Sequence, residues 1–349
     1  MAFRKQIFIS FFLCGISFIS FSQEEQRDKN AVTYEEIYDE PYAINKLFIH
    51  FQPLYGEVFA TNVNAGFGFE AQYYLQDKAD FKAQYRQTYG RKFYDLNRDV
   101  ATNVSDVDNR INAFNYLEIG ATYHAKDFEK NSKTKMFLYK KIYKRNTWAA
   151  MVPLNVEIPC KVRTIYGVRL GGIIWNSSVD INRTLEEQGL SPDDLKNTEG
   201  NGLPDDIDIF SNVSVGGAYV GGSISWMRNV AVSFDKFEAG VDDLIFTTYF
   251  DILYSPSIEL DDIVYTPLDP NGVRIVDLTR TYAIAPIKTK SFGFRAGLEG
   301  KFNRAFSWAY GGEIGYRPGL SGGGFFAVVK ISFPVFSSNL DYKVEAFGK

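Results

Sequence analysis

Residues 325–336 read FFAVVKISFPVF, in which apolar side chains alternate with a more mixed set. In an extended chain Phe325, Val329 and Phe333 fall on one side, and Lys330 and Ser332 fall on the other. A repeat of two residues is typical of a β-strand with one apolar face. Because the same alternation recurs in many earlier segments, we expect an all-β protein.

The first 22 residues have the pattern of a secretory signal peptide. Arg4 and Lys5 precede an uncharged apolar run over residues 7–21, and small residues stand at Ser20 and Ser22. We therefore expect an exported protein whose mature chain follows this segment.

The composition excludes several classes of protein. Only Cys160 remains after signal removal, so no intramolecular disulfide can form. The net charge of −4 gives no indication of nucleic-acid binding. Beyond the signal, no run reaches the roughly 18 apolar residues of a membrane helix. With 30 Phe and 22 Tyr, the chain favours strands.

The polar faces of the strands separate a soluble sandwich from a membrane barrel. They mix Gly, Ser, Asn and Thr with sparse charges of both signs, which suits a crowded lumen better than a water-facing surface. Tyr73, Tyr89, Tyr123 and Tyr316 stand near segment ends, where membrane–water girdles need aromatic residues. The sequence therefore predicts a transmembrane antiparallel up-and-down β-barrel.

The alternation predicts about twelve strands, within a range of 10–14. They cover residues 46–55, 58–75, 79–94, 111–128, 134–144, 147–158, 161–176, 210–228, 231–254, 286–301, 303–317 and 322–336. The segment 231–254 is either one bulged strand or two strands broken at residues 240–242. An even count with the long loops on one side favours one strand. We expect the last strand to pair with residues 46–55 and close the wall.

This interpretation divides the chain into four parts. They are the signal peptide (1–22), a polar acidic segment (23–44), the barrel (45–336) and a C-terminal tail (337–349). We expect the acidic segment to be disordered. The alternative roles of this segment are to bind a partner in the periplasm or to form a plug in the barrel mouth.

The chain resembles the outer-membrane β-barrel proteins of Bacteroidota, in particular the flavobacterial kind. The resemblance rests on the signal ending at 20–23, on the aromatic strands and on Gly322-Gly323-Gly324-Phe325-Phe326. It implies the outer membrane of a Gram-negative bacterium, contact with lipid, and folding by an assembly machinery that reads an aromatic-ended last strand. Phe333 and Phe336 match that feature, although such proteins commonly end at the aromatic residue and this chain continues.

Eleven charged residues fall on the proposed lumen face. They are Glu70, Lys82, Arg86, Glu118, Lys126, Arg169, Arg295, Glu299, Glu313, Arg317 and Lys330. Lumen charges can select solutes in an open pore, or they can pair and fill a narrow barrel. A barrel of about eight strands is filled by side chains and one of about sixteen holds a channel. Twelve strands leave both outcomes open.

One loop resembles the Asp-rich calcium-binding repeat of thrombospondin type 3 segments. The resemblance implies that oxygen ligands come from Asn197, Glu199, Asn201, Asp205 and Asp208, with the carbonyl of Leu203. Calcium takes six to eight oxygen ligands, and glycine permits the sharp turn. The loop departs from that repeat, because Asn, Glu and Asn replace Asp at three positions and only one copy is present. The alternative is a polar external loop whose Gly and Pro residues form turns.

Catalysis has little support, because His50 and His124 are the only histidines and no nucleophile motif is present. We do not expect an enzyme, and we expect no cofactor other than structural calcium. The first functional hypothesis is a porin-like channel for small polar solutes. The alternative is a non-conducting structural or accessory subunit of an outer-membrane secretion or assembly complex, with envelope proteins as partners. A surface binding protein is the third class.

Overall fold

The computed structural model describes residues 33–59, 62–75, 78–90, 107–138, 154–235, 237–304 and 307–337. Within these ranges the protein is all-β and contains a closed antiparallel barrel of ten strands. In chain order the strands are β1 (Tyr34–Asp39), β2 (Leu47–Phe59), β3 (Asn62–Leu75), β4 (Ala79–Thr88), β5 (Asn115–Leu138), β6 (Leu154–Asp180), β7 (Phe210–Met227), β8 (Val230–Phe234), β9 (Gly240–Asp242), β10 (Leu244–Leu260), β11 (Ile263–Tyr265), β12 (Arg280–Tyr282), β13 (Thr289–Lys290), β14 (Phe292–Phe302), β15 (Ala309–Tyr316), β16 (Gly319–Leu320) and β17 (Phe325–Ser337). A helix, α1 (Ile181–Gln188), and two short 3-10 turns, Pro192–Asp194 and Val276–Leu278, complete the elements.

The barrel is a meander in which each strand pairs with the next barrel strand along the chain. Its order is β2, β3, β4, β5, β6, β7, β10, β14, β15 and β17. The last strand then pairs with the first, with Val329 opposite Gly56 and Phe326 opposite Phe59. The predicted closing seam is therefore confirmed.

The predicted count of twelve strands is wrong, because the described barrel has ten. Predicted segments 111–128 and 134–144 are one strand, β5, and segments 147–158 and 161–176 belong to β6. The polar stretch between the first two stays extended and paired beyond the barrel wall, where the sequence suggested a turn. Residues 139–153, which carry parts of two predicted strands, lie outside the described residues.

The segment 231–254 is not one bulged strand. It contains β8, β9 and the first part of β10, and the chain leaves the wall between β7 and β10. The predicted alternative, two strands broken at residues 240–242, is also not found in that form, because those residues are β9 and the break before β10 is at Asp243. The two mergers reduce the twelve predicted strands to ten, and the excursion adds no strand to the wall. The number of barrel strands is therefore still even.

The two ends of the barrel differ. We call the end where β2 begins and β17 finishes the terminal end, and the opposite end the loop end. The connections 89–114, 181–209 and 261–291 all emerge at the loop end, because each follows a strand that runs in the same direction as β2. This arrangement matches the predicted placement of the long loops on one side.

At the terminal end, β5 and β6 continue past the wall as a two-stranded arm. A small sheet in the order β1-β8-β9 packs against it, around a core of Met136, Ile158, Val232 and Phe234. The expected disorder of segment 23–44 is thus wrong for residues 34–39, which form β1. Its Asp39 accepts a hydrogen bond from the Lys161 amide at 2.8 Å, and burial raises the pKa of this carboxyl group. Residues 1–32 and 338–349, with the predicted signal and nearly all of the tail, lie outside the described residues.

At the loop end, the described parts of the long connections fold over the barrel mouth. α1 begins after Asp180, whose carboxylate accepts the Arg183 amide, and ends at Gly189 with a left-handed φ of 69°. Its Ile181 and Leu185 join a large apolar cluster with Trp175 of the wall. We call this layer the cap. No described helix is long and apolar enough to cross a membrane.

The barrel wall is apolar outside and polar inside. On β17, Phe325, Val329 and Phe333 are exposed, whereas Val328 and Lys330 are buried, as the alternation predicts. The outward residues of the other barrel strands include many exposed large apolar side chains. Examples are Leu54, Val63, Phe69, Ile119, Leu170, Ile174, Val220, Phe250, Ile252, Phe294 and Ile314.

Candidate functional site in the barrel lumen

The structure places ten of the eleven predicted lumen charges inside the barrel. The exception is Lys126, which is exposed on the outside. A β-bulge between His124 and Lys126 shifts the register of β5 against β6. One extra residue in a strand moves every following side chain to the opposite face. His124 is therefore inside the barrel, and Lys126 is not.

A central cluster joins Arg295 of β14 to Glu118 of β5. Arg295 donates two hydrogen bonds to the Glu118 carboxylate, at 2.7 Å and 2.6 Å, and one to Asp251 at 2.8 Å. Arg169 donates to the same Asp251 at 3.0 Å and 3.2 Å. The Tyr116 hydroxyl donates to Glu118 at 2.8 Å. All five side chains are buried, so two cations and two anions satisfy one another without water.

A second cluster lies nearer the terminal end. Lys330 donates to Glu70 at 2.8 Å and to Glu299 at 2.6 Å. Lys82 is ion-paired with Glu299, and its ammonium lies 3.6 Å from Glu70. β4, which carries Lys82, and β14, which carries Glu299, are five places apart in a ring of ten strands. The Lys82–Glu299 pair therefore bridges opposite walls and crosses the lumen.

A third cluster lies towards the loop end. Arg317 is ion-paired with Glu57, and its guanidinium group lies 4.1 Å from the centroid of the Phe326 ring. Arg86 lies over the Tyr116 ring at 4.4 Å. None of its guanidinium nitrogens has a hydrogen-bond partner among the described residues. Aromatic faces stabilise these two cations in place of water.

Several members of this network were missed in the sequence. Glu57 and Asp251 supply carboxylates to Arg317 and Arg295, and Lys301 donates to Gln72. His124 lies 3.2 Å from Asp80. Asp251 could have been found, because it alternates with outward Phe250 and Ile252, but its strand was merged with residues that leave the wall.

Among the described residues, the network spans the lumen from wall to wall. A buried charge is tolerated when it is paired and hydrogen-bonded. The central cluster and the cluster around Lys330 meet this requirement, whereas in the third cluster Arg86 is held by aromatic rings without hydrogen bonds. A cavity of about 20 Å³ lies beside Glu299 and Lys330. This volume holds a water molecule and little more.

Apolar layers close both ends of the described barrel. The cap covers the loop end with Trp175, Phe210 and Leu203 among its buried members. At the terminal end a smaller cluster contains Phe48 and Tyr74, and Lys301 lies 4.4 Å from the Phe48 ring centroid. Among the described residues, the polar network therefore lies between two buried apolar clusters.

The predicted calcium loop lies in the cap. Asn197 Oδ1 already accepts the amides of Glu199 and Asn201, at 3.0 Å and 2.9 Å. The Glu199 carboxylate is 3.4 Å from Arg280. Asp205 and Asp208 are exposed. Among the described residues, no group of three or more His, Cys, Asp or Glu side chains has a metal-binding arrangement. Calcium binding here stays a prediction.

Aromatic side chains ring the outer wall at both ends. At the terminal end the exposed residues are Tyr73, Phe81, Tyr123, Tyr166 and Trp308; at the loop end they are Tyr89, Tyr254, Phe292 and Phe325. Between the two rings most outward side chains are aliphatic or aromatic, with Gln87 and Thr248 as polar exceptions. We call this surface the apolar band.

Comparison of the sequence with protein-family models gave no match, and comparison with characterised proteins gave none.

Proposed function

We propose that this protein is an integral outer-membrane barrel of the Bacteroidota type that does not conduct solutes and serves as a structural or accessory subunit of an envelope complex. The observation that carries this proposal is the Lys82–Glu299 ion pair, which joins opposite walls across the lumen. It favours the second functional hypothesis over a porin-like channel.

The membrane part of the proposal is supported by the apolar band. Ile119 is 61% and Ile314 60% exposed, on strands whose inward residues are charged. In water such a continuous apolar surface promotes aggregation. In a bilayer the same surface contacts lipid acyl chains instead of water. The two aromatic rings fit the girdles of bacterial barrels, and the predicted signal peptide fits export.

The accessory role is supported by the surfaces beyond the band. With the terminal end in the periplasm, the arm and the β1-β8-β9 sheet would project there, and the cap would face outward. A closed lumen leaves these two folded surfaces as the parts available to other proteins.

Planar-bilayer recording of the purified full chain tests the closed lumen. We expect no unitary conductance steps, because among the described residues the ion pairs and the two apolar clusters obstruct the lumen. Insertion of a folded barrel is verified by heat-modifiable gel migration of the same protein after reconstitution in vesicles. A general porin is the positive control for conductance. Discrete steps from the inserted protein would contradict the closed lumen and restore the channel hypothesis.

The accessory role is tested separately by crosslinking in native membranes. We expect fixed partners joined to the cap or to the terminal-end sheet. Glu259→Cys, near the loop end of β10, and Lys135→Cys, on the arm, provide crosslinking positions. Both side chains are exposed. A chain that stays without partners at both positions would leave a closed barrel with no accessory role.

A further inference from the structure

Two lysines lie outside the barrel just beyond the terminal-end aromatic ring. The bulge after His124 turns Lys126 outward, directly opposite Tyr166 of that ring. The ammonium groups of Lys126 and Lys130 each lie 5.0 Å from the centroid of the Phe128 ring. Phe128 in turn stacks on Tyr166, with centroids 5.8 Å apart. Two positive charges are thus fixed around one aromatic pair.

These cations differ from the others on the same arm and in the lumen. Within the described residues neither Lys126 nor Lys130 forms an ion pair, whereas nearby Lys133 lies 3.6 Å from Glu157. Inside the barrel, Lys330 contacts two carboxylates. The charges of Lys126 and Lys130 are therefore available to an external anion.

The position of Lys126 and Lys130 along the barrel axis indicates which anion they bind. Tyr123 and Tyr166 mark the boundary between the apolar band and water, and Lys126 follows Tyr123 by three residues. In a bilayer this level holds the phosphate groups of the lipids. Ammonium–phosphate hydrogen bonds are charge-assisted and strong, and the aromatic pair offers an apolar surface to the adjoining glycerol and acyl chain.

We propose that Lys126 and Lys130, with Phe128 and Tyr166, form a binding site for the headgroup phosphate of a phospholipid in the leaflet at the terminal end. The proposal rests on the membrane insertion proposed above. This proposal gives the β5 bulge a function, because without the bulge Lys126 would point into the lumen.

Native mass spectrometry of the full chain in a neutral detergent tests the site, with phosphatidylglycerol as the probe and diacylglycerol as the phosphate-free comparison. The double variant Lys126→Gln, Lys130→Gln is compared with Lys133→Gln, Lys135→Gln, which removes two charges farther along the arm. We expect the first variant to bind phosphatidylglycerol about 25-fold more weakly, since each of the two lysines contributes about a factor of five at a membrane surface. The second variant should bind like the wild type.

Equal binding by both variants, or binding of diacylglycerol as strong as that of phosphatidylglycerol, would overturn the lipid site. Inorganic phosphate distinguishes the source of the anion, because lysine-dependent displacement of the lipid by millimolar phosphate would indicate a general phosphate site and overturn the lipid assignment. Flotation with phosphatidylcholine vesicles separates the two proposals. A chain that stays in the aqueous fraction overturns membrane insertion and the site together, and one that floats but binds without the lysines overturns only the site.

Discussion

On β14, Arg295 is buried in the lumen, while Phe294, its neighbour in sequence, is 50% exposed on the outside. The same contrast is found on β5, where Glu118 is buried and Ile119 is exposed. A water-soluble barrel would place these residues the other way round. The comparison shows that paired charges occupy the inside and that exposed apolar side chains cover the outside, which is the arrangement that the proposed membrane barrel needs.

The two faces therefore depend on different terms of the free energy of folding. The inner face depends on each charge having its partner, because an unpaired buried charge is expensive. The outer face depends on the surrounding medium, because its apolar side chains have little protein packed over them. The effect of a substitution on the inner face should therefore depend on charge pairing. The effect of a substitution on the outer face should depend on the surrounding medium.

The largest expected effect comes from breaking the inner face at Arg295. Arg295→Met leaves Glu118 without its guanidinium partner and should lower the free energy of unfolding by roughly 3–5 kcal/mol. Urea unfolding in vesicles measures it. Lys135→Met, on the exposed arm, is the control and should change it by less than about 0.5 kcal/mol. A loss at Arg295 as small as that of the control would mean that the network does not hold the lumen closed.

The next effect tests the outer face. Ile119 lies midway along the outward part of β5, and Ile119→Arg should cost about 2–4 kcal/mol in a bilayer, as for a charge near the midplane. The same unfolding measurement applies. Val276→Arg in the cap, where the side chain is 72% exposed, is the control and should be nearly neutral. If both arginines are tolerated equally, the apolar band does not face lipid.

A smaller effect compares glycines on the two faces. A Cβ at Gly297, inside, would lie 2.4 Å from the Tyr249 ring, whereas at Gly312, outside, the nearest atom is 3.5 Å away. Gly297→Ala should destabilise by about 1–3 kcal/mol through overpacking, and Gly312→Ala by much less. Chemical-denaturation midpoints of the two variants give the comparison. Equal midpoints would show that the lumen has room to spare.

The smallest expected effect concerns calcium. Because Asn197 and Glu199 already have protein partners that calcium would have to displace, we expect calcium to raise the unfolding midpoint only slightly. Isothermal calorimetry of the wild type and of Asp205→Asn, Asp208→Asn provides the test. Calcium binding that these two substitutions weaken would establish the site suggested by the sequence.

Much of the wall could be predicted from local alternation. A strand needs only a repeat of two to separate its faces, so β17 and its seam with β2 followed from residues 325–336. Ten of the eleven lumen charges followed for the same reason. Lys126 did not, since one inserted residue reverses the faces and leaves no trace in the composition around it.

What lies outside the wall could not be predicted in this way. The arm looked like two separate strands and a turn, because its polar residues resemble a loop when the partner sheet is unknown. β1 looked disordered, since Glu35 and Glu36 give no apolar face, although it pairs with β8 in the structure. The cap depends on contacts between residues far apart in sequence, such as Trp175 and Phe59. Such contacts have no local signature.

Lys330 lies on β17, the last strand of the wall, and its ammonium group contacts Glu70 on the second barrel strand and Glu299 on the eighth. Until β17 docks, β2 and β15 keep open hydrogen-bonding edges and those two carboxylates share only Lys82. Ring closure and charge neutralisation are therefore one event. A chain that stops before β17 should remain an open sheet with two unpaired edges, and an unpaired strand edge is a template for association with another chain.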